Sequence, residues 1–235
     1  MLSDNNTRVH TIIFDVGGTL VKARSVLYTF AELMDPGHID ELFKILRGKF
    51  MVIYRDENPP RFIGIKEILA TVIRETAREY NLPDVSDKVD SHYGNFYLRH
   101  ASLFDDTIPT LERLKGDGFR LIVVSDADPD VLDSELSTFE IYRYFDHILI
   151  SGKIEAYKPS DKMVRAILDV CDEPRTGIIF VGDTEVDILT ARKMHVTSVL
   201  IKRNGDFGHD ADYHITDFKE LFEIIEEINN SVSSR

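Results

Sequence analysis

Five nearly continuous apolar runs punctuate the chain: Thr11 to Val16, Phe119 to Ser125, His147 to Ile150, Gly177 to Gly182 and Thr197 to Ile201. A strand covered on one face alternates apolar and polar residues. A strand covered on both faces reads as an unbroken apolar run. These runs therefore predict parallel strands buried inside a sheet.

Helical periodicity separates the later runs. Ile108, Leu111 and Leu114 share one face before a Gly116/Gly118 stop, and Ser160 is placed to cap a helix whose face carries Val164, Ile167, Leu168 and Cys171. A further helix with Val186, Leu189 and Lys193 is expected just after Asp183. Alternating strands and helices predict an α/β fold, a doubly wound parallel sheet.

Ser25 to Leu103 has no strand-like run. Leu42, Ile45 and Leu46, then Ile65, Ile68, Leu69, Val72 and Ile73, repeat at helical spacing, with breaks at Asn58-Pro59-Pro60 and Leu82-Pro83-Asp84. About four helices are expected there. The predicted organisation is an α/β core of residues 1–22 and 105–235 and an inserted α-helical cap of residues 23–104.

Composition narrows the function classes. The net charge of −13 and the lack of a basic stripe argue against nucleic-acid binding. No apolar run is long enough to span a bilayer, so no membrane role is expected. Cys171 has no cysteine to pair with, and Met1 to His10 is polar, without the apolar stretch of a secretion signal. A cytoplasmic monomer or homodimer is expected.

Chemistry concentrates at the predicted carboxyl ends of the strands, where open α/β sheets bind ligands. The first run leads into Asp15-Val16-Gly17-Gly18-Thr19, the second into Ser125-Asp126 and the fourth into Gly182-Asp183, with Asp187 four residues on and Lys158-Pro159 in a loop before a helix. Taken singly, each has an ordinary reading as a strand end, a turn or a solvated lysine. Together they place three carboxylates at one sheet edge, which calls for a divalent cation; all-oxygen ligation favours Mg2+. Asp183 and Asp187 are spaced to share a helix face. Gly17, Gly18 and Gly182 allow backbone N–H groups close to an anion, Lys158 adds a charge and Ser125 a hydroxyl. The set describes a site for a small phosphorylated substrate.

These four elements, in this order, resemble the haloacid dehalogenase-like hydrolases, or HAD superfamily, of the helical (C1-type) cap subgroup. Phe14-Asp15-Val16-Gly17-Gly18-Thr19-Leu20 is similar to the first motif, Val123-Val124-Ser125 to the second, Lys158-Pro159 to the third and Gly182-Asp183-Thr184-Glu185-Val186-Asp187 to the fourth. The resemblance implies a Rossmann-like core and a hydrolase, most often a phosphatase. It implies Asp15 as a nucleophile forming a covalent aspartyl intermediate, with Ser125 and Lys158 holding the phosphoryl group. Gly17, Gly18 and the Asp126 backbone N–H would line the phosphate. Asp15, the Gly17 carbonyl and Asp183 would hold Mg2+, Asp187 would support them, and Thr19 would tie down the first loop.

One position departs from the pattern. Most phosphatases of this family carry a second Asp where this chain has Gly17, and that residue serves as general acid and base. Losing such a group costs roughly 10²–10⁴-fold in rate. Three readings follow: a phosphatase with easy leaving groups or a substitute acid, a metal-free 2-haloacid dehalogenase, or a weakly catalytic binding or regulatory protein. Family dehalogenases lack the acidic pair seen here as Asp183 and Asp187, which favours the phosphatase. Asp126, Asp128, His92 and His100 are candidate substitutes. Lys44, Lys49 and Lys66 are candidate Schiff-base lysines for a phosphonate hydrolase, though none is marked by its surroundings.

Overall fold

The computed structural model describes residues 8–56, 59–206 and 208–233. They form two compact units. One contains the chain up to Lys22, Leu103–Asp126 and the chain from Phe139 on; the other contains Ala23–Ser102 and Ala127–Thr138.

The elements of the first unit begin with β1 (Thr11–Phe14) and the short β2 (Val21–Lys22). The helical unit follows with α1 (Val26–Met34), α2 (Ile39–Tyr54), α3 (Ile65–Tyr80) and α4 (Val89–Arg99). The chain continues through β3 (Ser102–Leu103), α5 (Thr107–Gly116) and β4 (Arg120–Ser125) to α6 (Pro129–Thr138). After it come β5 (His147–Ile150), α7 (Ser151–Ile154), α8 (Asp161–Leu168), β6 (Ile178–Gly182), α9 (Glu185–Met194), β7 (Thr197–Ile201), β8 (Tyr213–Ile215) and α10 (Phe218–Ser233).

The main sheet runs β5-β4-β1-β6-β7-β8, with every pairing parallel. All residues of β1 and β6 are buried, as continuous apolar runs require of a doubly covered sheet. β1 lies between β4 and β6, in register Phe14 with Val123 and with Val181. The chain winds outward in one direction through β4 and β5, then in the other through β6, β7 and β8. The crevice where the direction reverses opens at the carboxyl end of β1.

All five apolar runs are strands, with β1 ending two residues earlier than expected. The sixth strand, β8, was not foreseen. It is a three-residue strand, Tyr-His-Ile, paired among the described residues with β7 alone, and it carries no apolar run. Ser160 caps α8 as expected, its Oγ accepting from the Met163 N–H at 3.3 Å. That helix stops at Leu168, so Cys171 lies beyond it rather than on its face. The cysteine still packs against the core cluster, and burial pushes its thiol up to about 11. Val186, Leu189 and Lys193 lie on α9, which starts just after Asp183 as expected, and the residues it buries are Asp187, Ile188, Thr190, Ala191 and Met194.

The helical unit has the expected α3 face, with Ile65, Ile68, Leu69, Val72 and Ile73 all buried. The helix stops at Tyr80, and Asn81 closes it in the left-handed region at φ 53°. Of the other expected break, Asn58 lies outside the described residues. Residues 127–138, counted with the core from sequence, belong to this unit. The physical reason is local. Gly64 begins α3 without a side-chain cap, and the Asp128 carboxylate accepts the Lys66 N–H at 2.8 Å in its place. Tyr97 of α4 donates its hydroxyl to Glu135 of α6 at 2.8 Å. No helix among the described residues is long and apolar enough to cross a membrane.

Candidate active site

Asp15 follows directly on the last residue of β1, its N–H held by the Val181 carbonyl at 3.0 Å. It is 7% exposed. The chain then turns tightly: the Val16 carbonyl accepts the N–H groups of Thr19, Leu20 and Val21 at 3.2, 2.9 and 3.0 Å. Gly18 makes this turn possible at φ +81°, and a Cβ there would lie 2.3 Å from Asp183 Oδ2. A side chain is excluded both by the backbone and by the neighbouring carboxylate. Gly17 is exposed. The Thr19 hydroxyl lies 3.4 Å from Asp15 Oδ2, so it does tether the loop to the carboxylate.

Lys158, 6% exposed, reaches into this corner. Its Nζ donates to Asp15 Oδ1 at 2.7 Å, Asp187 Oδ1 at 2.6 Å and the Val124 carbonyl at 3.3 Å. Those acceptors account for its three hydrogens. The Lys158 N–H donates to Asp126 Oδ1 at 3.1 Å, so the Asp126 side chain fixes the lysine loop. Ser125 ends β4 and is buried, two residues past the pairing of Phe14 with Val123.

Asp187 is fully buried. Its Oδ2 accepts from the Thr184 N–H at 3.0 Å and the Thr184 hydroxyl at 2.6 Å, which makes it half of a capping box on α9. Gly182 leaves the room: a Cβ there would sit 2.3 Å from Asp187 Cβ. Asp183 precedes the Thr184 cap, so it lies outside the helix; the expected shared helix face is replaced by a cap that folds Asp187 back toward the strand end. Asp183 Oδ1 is buried and has no hydrogen-bond partner.

Oxygens of Asp15, Asp183 and Asp187 lie within 4.8 Å of one another. Three carboxylates around one lysine resist full ionisation. Burial, ahead of the charges of its neighbours, raises Asp15 well above the usual carboxylate range. Burial first and then Asp187 push Asp183 up to about 6. The cluster is thus short of positive charge and offers only oxygen donors to a cation.

The other candidates have partners elsewhere. Asp128 caps α3, Lys49 pairs with Glu79 and Lys66 with Asp130, each at 2.5 Å, and His92 sits 3.2 Å from the Ser91 hydroxyl. His100 ends α4 and is exposed, as is Lys44. Sequence reasoning missed three contributors. Val124 acts through a carbonyl, Thr184 through a cap, and Arg203 through the Thr19 carbonyl, to which its Nη2 donates at 3.2 Å. A basic residue two positions past the run Thr197 to Ile201 was the available signal for the last.

The sequence pattern of the haloacid dehalogenase-like hydrolases matches residues 12–201, a span that holds the whole carboxylate–lysine cluster. The chain belongs to this family. An (S)-2-haloacid dehalogenase of Pseudomonas sp. (strain YL) is 26% identical over 220 residues, covering 92% of this chain and 94% of that one. A phosphoglycolate phosphatase of Aquifex aeolicus is 25% identical over 194 residues, covering 82% and 84%. Among solved structures, an L-2-haloacid dehalogenase superposes with a TM-score of 0.75 at 20% identity, covering 94% of this chain and 100% of that one. A HAD hydrolase of Bacillus subtilis described as bound to magnesium gives a TM-score of 0.75 at 16% identity, covering 93% and 99%. Relatives of both chemistries flank the chain at similar distance, so membership makes it a HAD-like hydrolase and leaves the bond it breaks to the site itself.

Proposed function

We propose that this HAD-like hydrolase is a magnesium-dependent phosphatase of small phosphate esters, acting through an aspartyl-phosphate on Asp15. The observation that carries this reading is Asp183, whose Oδ1 is buried without a partner beside two further carboxylates. An orphaned oxygen in an all-oxygen cluster with surplus negative charge fits a hard divalent cation. Asp15, Asp183 and the Gly17 carbonyl would hold it, with Asp187 behind them. When bound, the metal would offset charge on the cluster and on the phosphoryl oxygens.

The chain's own residues supply the rest. Lys158 holds Asp15 Oδ1 at 2.7 Å, which orients the carboxylate and favours its ionised form. Asp15 attacks phosphorus as the bond to the leaving oxygen breaks. Ser125 and the Gly17 N–H would hold phosphoryl oxygens, and Lys158 would join them by releasing one of its three present acceptors; the Gly18 N–H, expected at the phosphate, is already given to the Val21 carbonyl at 2.8 Å. Water then cleaves the acyl phosphate and restores Asp15. Gly17 has no carboxyl to protonate the leaving oxygen. Substrates whose leaving groups are stable anions, such as aryl or acyl phosphates, suit the site best.

Phosphate release from p-nitrophenyl phosphate with magnesium, abolished by a chelator, is the expected result; inactivity across divalent metals sinks the reading. Gly17→Asp should raise turnover of alkyl phosphates by roughly 10²-fold. A folded, metal-binding Gly17→Asp variant that gains nothing would mean that an acid already exists or that the substrate is not a phosphate. The second reading, a 2-haloacid dehalogenase, is favoured by the same glycine, because a halide needs no proton, and by Lys158, which offsets Asp15 without metal. Steady chloride release from 2-chloropropionate in the presence of chelator would select it.

A further inference from the structure

We propose that Arg203 is a positioning residue for the Asp15 loop. It follows β7 and is partly buried, with 21% of its side chain exposed. Its guanidinium is gripped on several sides. Nη1 donates to Asp106 Oδ2 at 2.6 Å and Nη2 to the Thr19 carbonyl at 3.2 Å. The Phe104 ring lies 4.2 Å and the Phe218 ring 4.7 Å from its central carbon. Asp106 Oδ2 also accepts the Phe218 N–H at 2.8 Å, so the carboxylate that orients Arg203 is itself fixed at the start of α10.

This clamp acts on a residue that touches the nucleophile. Thr19 presents its carbonyl to Arg203 and its hydroxyl to Asp15. The next carbonyl, Leu20, is held by the Thr107 hydroxyl at 2.8 Å and the Phe104 N–H at 3.2 Å. The turn at Gly17–Gly18 is thus fastened by Val16 from inside and by Arg203, Phe104 and Thr107 from outside. A planar fork stacked on aromatic rings can satisfy a carboxylate and a carbonyl together with little loss of side-chain freedom; a lysine ammonium has no fixed plane to do so. Misplacing a reacting group by about 1 Å can cost roughly 10²-fold in rate, so a relaxed Thr19 peptide should appear in kcat rather than in binding.

The inference rests on Asp15 as nucleophile, which the phosphatase and dehalogenase readings share. The test measures Arg203→Lys and Arg203→Ala with p-nitrophenyl phosphate and magnesium and with 2-chloropropionate. Whichever substrate the wild type turns over, kcat should fall about 10- to 100-fold per folded molecule with KM changed less than about threefold. Added guanidinium should restore part of the loss in Arg203→Ala, which a purely structural defect would not allow. The N–H groups of Thr19, Leu20 and Val21 should exchange hydrogen about tenfold faster or more in Arg203→Lys. Full activity per folded molecule in Arg203→Lys overturns the proposal, as does a loss explained by unfolded protein alone. If the wild type releases neither phosphate nor chloride, the functional reading fails, and the exchange rates decide Arg203 alone: unchanged protection overturns it.

Discussion

The two units bury acid in opposite ways. The core gathers Asp15, Asp183 and Asp187 around Lys158 and remains short of positive charge. Among its described residues the helical unit buries one carboxyl residue, Glu135, 4% exposed, with the Tyr97 hydroxyl donating to it. That second place is relieved by proton uptake, because burial pushes Glu135 up to about 7 and the Tyr97 hydrogen bond pulls it back. Tyr93 beside it is held neutral too, above its ordinary range, by burial and by nearby Asp128, Glu135 and Asp130. Buried carboxyls are therefore a poor marker of chemistry by themselves. Three carboxylates within reach of one cation, one of them with an unpartnered oxygen, are the better one, and among the described residues that grouping occurs at Asp15, Asp183 and Asp187.

The contrast is sharpest at Asp15. Asp15→Asn should abolish turnover, by about 10⁴-fold or more, yet melt no lower than wild type in chelator, because it removes a carboxylate that burial already disfavours. A lower melting temperature without metal would mean that the cluster is balanced after all. Next in size is Lys158→Met. It leaves the fully buried Asp187 without its ammonium, so a cost of about 3–5 kcal/mol is expected in urea unfolding. A loss below about 1 kcal/mol would be the size typical of an exposed pair and would break the contrast. The smallest effect belongs to the helical unit and depends on pH. Burial pushes Glu135 up to about 7 from its ordinary value of 4.5, so the folded state keeps its proton longer. Its contribution is complete below pH 4.5 and is lost as pH rises toward 7, on the order of 3 kcal/mol in all. Glu135→Gln should remove that slope. Parallel urea titrations of the variant and wild type at the two ends of this window check it, and identical slopes would count against a neutral Glu135.

Much of this was readable in advance, because buried parallel strands and helix faces write their period directly into the chain. The carboxylates were visible as acids at strand ends, where a charge without a purpose is costly. What escaped depends on tertiary contact. β8 is too short and too polar at the edge to show a run. Residues 127–138 join the helical unit because Asp128 caps a helix that begins 63 residues earlier, at Gly64-Ile65. Asp183 and Asp187 converge through a capping box rather than through helix spacing. Arg203 has a role only because Phe104, Asp106 and Phe218 meet around it.

The two glycines that face the carboxylates leave a constraint on descent. Each acts as a mould for one acid: Gly18 for Asp183 and Gly182 for Asp187, with no room for a methyl group at either. Neither glycine can drift to alanine while its acid keeps this pose. In a saturation library, alanine at 18 or 182 should vanish along with the acids themselves. Any lineage that abandoned Asp187 would free position 182 at the same moment, which makes Gly182 and Asp187 a single heritable unit, whereas Gly18 would stay bound by its positive φ even without Asp183.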